Sequence, residues 1–198
     1  MNLRSMNPRH SICLLGFTGA VLMGACGGDE DTVVAVLGIY QVSSHTENTA
    51  GCDAEGAAVR QTSPFFFVRK DKLLDYPYYN LMGCKSLTDC RTAAKDPMHF
   101  EQLNFIFHTP KSPTTLTGST RFTGFKDGKT CTKPSVSEHS FVRTGDDVRI
   151  ESRTRVGDDY PADNEGFCST SLGERASRGK PCAELVVVTA KFVEPLPQ

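Results

Sequence analysis

Six cysteines, Cys52, Cys84, Cys90, Cys131, Cys168 and Cys182, are spread over most of the chain, and their spacing limits the fold more than any other feature. A structural metal site draws on close pairs such as C-x₂-C. The tightest spacing here is Cys84-x₅-Cys90, so no metal is expected. An even set of thiols without metal spacing reads as three disulfides, with the connectivity left open. Cys84–Cys90 is the favoured pair, because it would staple a strand end to a helix start. Each bridge would stabilise by ~2–4 kcal/mol, chiefly by restricting the unfolded chain. That reading requires an oxidising compartment.

The N-terminus supplies the reason for one. Arg4, Arg9 and His10 form a basic start, Ser11 to Met23 is apolar, and no acid precedes Asp29. The apolar run is too short to span a bilayer, which takes roughly 20 residues. Basic start, apolar middle and small residues before a cut are the plan of a secretory signal peptide. Met23-Gly24-Ala25-Cys26 resembles the lipobox of bacterial lipoproteins. The resemblance implies diacylglycerol on the Cys26 thiol, cleavage just before it, and acylation of the new amine. Acyl chains at ~0.8 kcal/mol per buried methylene would hold the protein on its membrane by tens of kcal/mol. The alternative is an ordinary signal peptide cut after Ala20 or Ala25. The expected organisation is a signal peptide over 1–25, a lipidated Cys and flexible tether over 26–32, and a single β-rich domain over 33–198. Cys13 leaves with the signal. The first partner is then the membrane, and Gly27 in place of Asp points to the outer membrane of the cell envelope.

The formal net charge is −1, and no basic stretch is interleaved with aromatics, so nucleic acid is not an expected partner. Beyond the signal, no second apolar run approaches membrane length.

The rest of the chain alternates with a period of two. Val148, Ile150, Ser152, Thr154 and Val156 alternate with Arg149, Glu151, Arg153 and Arg155, the pattern of an antiparallel strand wet on one side. With Ser137–Thr144 and Gly145-Asp146-Asp147 it predicts a hairpin. Further strands are predicted over 33–46, 64–70, 78–83, 100–109, 114–125 and 184–193. In the first, Tyr40, Val42, Ser44 and Thr46 share a face. Ser86 followed by Asp89, then two alanines and Pro97, predicts one short helix near 87–95. Residues 157–181 read as a long polar loop. The sum is an all-β chain, an antiparallel meander of about eight strands closing into a small barrel, with a two-sheet sandwich as the alternative use of the same strands.

Phe65 and Phe67 occupy one face of their strand, with Phe66 and Val68 on the other; one face is core and the other needs a cover or a partner. Phe65, Phe67, Phe105 and Phe107 form the expected ligand-contact set. Gly38-Ile39-Tyr40 resembles the Gly-x-Trp that opens lipocalins. The resemblance implies an aromatic plug at the closed barrel end with a late cation over it, Lys191 being nearest in sequence. The exported body as a whole resembles exported lipoproteins of myxobacteria, through Gly-x-Tyr, Thr-Glu-Asn before Gly-Cys-Asp, and a later Asp-Cys. That resemblance implies no activity.

Catalytic patterns are missing. There is no G-x-S-x-G and no H-E-x-x-H, and His45, His99, His108 and His139 are scattered. Asp158, Asp159, Asp163, Asn164 and Glu165 make an acidic loop that does not follow the EF-hand pattern. The expectation is a non-catalytic, cofactor-free binding module, with a small apolar ligand as its partner. An envelope protein is the alternative partner, and a hydrolase the less favoured reading.

Overall fold

The computed structural model describes residues 35–60, 63–73, 76–96 and 102–197. The expected signal peptide and tether, Cys26 and His99 lie outside the described residues. The strands are β1 (Gly38–Asn48), β2 (Ala57–Ala58), β3 (Phe65–Leu73), β4 (Tyr76–Cys84), β5 (Gln102–Phe107), β6 (Thr109–Ser112), β7 (Thr115–Phe122), β8 (Phe125–Asp127), β9 (Thr130–Thr132), β10 (Ser135–Thr144), β11 (Asp147–Val156), β12 (Tyr160–Pro161) and β13 (Glu184–Glu194). The helices are α1 (Leu87–Ala93) and α2 (Thr170–Ser177).

The main sheet runs β5-β4-β3-β1-β13-β11-β10-β7-β6, with β2 paired to β1 off this path. Every pair is antiparallel. Only His108 separates β5 from β6, and these two strands end the path. The first half of this bent segment pairs with β4 and the second with β7, so the sheet nearly closes into a barrel of nine strands. The His108 N–H donates to the Thr117 carbonyl at the seam, 3.1 Å away. Gly118 permits the approach: a Cβ there would lie 2.0 Å from the Ile106 carbonyl oxygen. Closure disposes of the exposed edges that an open sheet would present.

One end of the barrel is plugged. Tyr40 is fully buried, stacked on Phe66 with ring centroids 5.0 Å apart, and meets Phe141 and Phe192 edge-on. Its hydroxyl donates to the Val36 carbonyl at 2.6 Å. Burial pushes the phenol up to about 12, with Arg143 pulling the other way. Arg143 lies over the Phe192 ring, 3.7 Å from its centroid, and donates to the Ala35 carbonyl. The cation at this end is therefore Arg143 from β10. Lys191, the residue expected there, points outward and pairs with Asp147 at 2.9 Å. Alternation puts residue 191 on the opposite face from Ala190 and so outside the barrel.

Phe66 and Val68 face inward, in the same cluster as Leu81, Phe107, Phe141 and Ile150. Phe65 and Phe67 face outward and are covered by α1, whose buried Cys90 and Ala93 pack with Phe67, Ile39 and Met82. The Ser86 hydroxyl caps α1 by accepting from the Asp89 N–H, and the Asp89 carboxylate accepts from the Lys85 N–H. Arg91 clamps the helix to the end of β13 through a two-pronged bond to Glu194, both arms 2.7 Å.

The disulfides are Cys52–Cys182, Cys84–Cys90 and Cys131–Cys168. The third braces a small sheet, β12-β9-β8, and α2 packs between its β12 and strands β7 and β10 of the main sheet. Helix α2 lies within the stretch expected to be a loop. Its Gly173 hides it from a propensity reading, yet that glycine is buried against Tyr160, Pro134 and Thr123. The missing side chain is what lets the helix sit so close.

Candidate functional site

Following the register across four strands gives three inward rows. Leu116, Phe141, Ile150 and Val188 form the lowest; Gly118, His139, Ser152 and Val186 the next; Thr120, Ser137, Thr154 and Glu184 the last. The wall thus turns from hydrocarbon to hydroxyl and carboxylate within two steps along each strand. The lowest row is filled by its own side chains. The upper two rows, Gly118 apart, and Val188 of the lowest border a cavity of about 490 Å³ at the end away from the plug, within the range of small-molecule sites.

Strand β1 contributes through an irregularity. Its register against β13 shifts between Val42 and Ser44. The extra residue exchanges the two faces beyond that point. His45 and Glu47 therefore border the cavity in place of the expected Ser44 and Thr46. Ser44 bonds to Thr189 instead, 2.7 Å away. Arg60, Ser63, Ser135, Phe105 and Val42 complete the rim and wall.

His139 is the deepest polar group. Its Nδ1 is 2.9 Å from the Ser152 hydroxyl and its Nε2 is 2.8 Å from the Thr120 hydroxyl. Phe105 meets the ring edge-on. Burial, with the charge of His108 second, holds the imidazole well below its usual range, down to about 4. The ring is neutral near pH 7. Either tautomer is satisfied, because each hydroxyl can donate or accept. Above it, Ser137 and Thr154 bond to one another at 2.8 Å. Burial first, and the neighbouring Glu47 second, raise the Glu184 carboxyl above the usual carboxylate range.

The four phenylalanines expected to meet a ligand are not brought together. Phe105 and Phe107 are inside, but only Phe105 borders the cavity; Phe107 is sealed in the apolar layer. Phe65 and Phe67 are on the outer face beneath α1. Alternation places them opposite Phe66, and sequence could not say which face was inner. The polar lining went unread because serine and threonine alternate as well on a wet outer face as on a wet inner one. The acidic loop spends its oxygens internally. Asp158 pairs with Lys180, Asp159 accepts from the Lys133 N–H, and Asp163 accepts from the Glu165 and Phe167 N–H groups. Among the described residues, no group of three or more His, Cys, Asp or Glu side chains is arranged to hold a metal, and no helix is long and apolar enough to cross a membrane.

No protein-family model matches the chain, and no similar curated protein or solved structure was found for it. The fold and site define a nearly closed, disulfide-braced antiparallel barrel, plugged at one end and open at the other, where polar and apolar side chains line a cavity.

Proposed function

We propose that this chain is an exported, lipid-anchored lipoprotein of the bacterial envelope whose barrel is a non-catalytic binding module for a small ligand held in the polar mouth. The observation that carries this is the asymmetry of the barrel interior: aromatic rings fill one end, and the other keeps about 490 Å³ lined by hydroxyls, histidines and carboxylates together with valines and Phe105. Val42, Phe105, Val186 and Val188 lie among these groups, so the lining suits a ligand with both polar and apolar parts. His139 supports the non-catalytic reading, since a ring with a pKa of about 4 is a weak base near neutral pH.

A second reading, docking to an envelope protein, draws on exposed aromatics beyond the mouth. Phe122 and Phe125 meet edge-on, with centroids 4.9 Å apart, and Phe125 is 65% exposed.

Native mass spectrometry of protein purified from its own host tests the first reading. A bound small molecule is expected in the wild type and should be lost in Thr154→Trp, which fills the mouth. No bound species, or the same species in both proteins, would contradict it.

A further inference from the structure

We infer that the ligand of the mouth is a hydroxylated molecule carrying a protonated amine, held between Glu47 and Glu184. The inference rests on reading the mouth as a binding site and adds the chemistry of what enters it. Glu47 faces Val186 directly across the β1–β13 pair. Glu184 lies two residues along on the same face, a diagonal neighbour at about 7–8 Å between backbones. Two carboxylates on adjacent strands thus converge on one cavity.

Five other described glutamates are ion-paired, while Glu165 is exposed in its loop. Glu55, Glu138, Glu151, Glu174 and Glu194 each hold an arginine. Glu47 and Glu184 are half-buried, and among the described residues neither has an ion-pair partner within 4.0 Å. Arg60, on the same rim, is exposed and pairs with neither. Two carboxylates against the single arginine of the rim leave the mouth with an excess of acidic groups. Like charges held together in a partly desolvated site repel, and a cation between them relieves both the repulsion and the desolvation. The surroundings do not suit a metal ion, as the described residues offer no cluster of three ligands. They do suit an organic cation. Thr120, Ser135, Ser137 and Thr154 supply hydroxyls that donate and accept, which matches a ligand with hydroxyl groups.

Isothermal titration with two pairs of isosteres tests this: ethanolamine against ethylene glycol, and glucosamine against glucose. At least one amine should bind tenfold or more tighter than its neutral counterpart. The preference should vanish in the Glu47→Gln/Glu184→Gln double variant and survive in Glu165→Gln. Equal binding of amine and counterpart, binding of no amine, or an undiminished preference in the double variant would overturn the inference. If amines fail while native mass spectrometry finds a neutral or anionic molecule in the mouth, the binding reading stands and only its chemistry is wrong. Failure of both experiments removes the two together.

Discussion

The Nδ1 of His139 sits 2.9 Å from the Ser152 hydroxyl, directly across the β10–β11 pair, at the level where the barrel interior changes from apolar to polar. Below this pair Phe141 faces Ile150; above it Ser137 faces Thr154. The imidazole is 5% exposed and closes the floor of the mouth. Its environment suits the neutral ring, which makes it both a structural joint and a source of acid sensitivity.

That sensitivity has a defined sign. The folded pKa is about 4, against about 6.5 in an unfolded chain. Between those values the unfolded state binds a proton that the folded state refuses. Stability therefore falls as pH drops from about 6.5 to about 4, by up to about 3 kcal/mol from this group. Urea unfolding across that range should show a steeper loss for the wild type than for His139→Gln. Parallel curves would contradict the assignment.

The seam between β5 and β7 depends on Gly118. A β-branched side chain there meets the backbone of Ile106 and Phe107, which cannot step aside as a flexible side chain can. Gly118→Val should cost about 3 kcal/mol or more in urea unfolding. A loss under about 1 kcal/mol would mean that the seam is looser than described.

The disulfides should differ in worth. Cys52–Cys182 closes 130 residues, whereas Cys84–Cys90 closes 6. Loop entropy gives about 5 kcal/mol for the first and about 2 kcal/mol for the second. Paired Cys→Ser variants, unfolded in urea, should keep that order. The reverse order would point to strain or to structure in the unfolded chain.

Much of this architecture was legible in the sequence. The β10–β11 hairpin, the α1 cap and the final strand follow from alternation and capping, which act over a few residues. The strand at Phe65–Val68 announced two apolar faces, but which face was interior depends on α1, and only the closed sheet shows it covering Phe65 and Phe67. Simple alternation puts His45 on the opposite face from Tyr40 and Val42, and a single shift near Ser43 reverses that and brings Glu47 inward with it. Nothing local marks the shift, which is fixed by pairing with β13. Helix α2 was missed for a related reason, since Gly173 lowers helix propensity while serving a close contact.

The anchor is separately testable. Radiolabelled palmitate should enter the wild-type protein in its host and be absent from Cys26→Ser. Equal labelling of both, or none in either, would remove the lipoprotein reading and leave the barrel unaffected.

The most direct measurement is a crystal structure of protein purified from its own host without refolding. Density for a bound organic molecule in the mouth, within hydrogen-bonding reach of Glu47, Glu184 and Thr154, is the predicted result. A mouth occupied only by ordered water, in protein that never lost its native contents, would contradict the account.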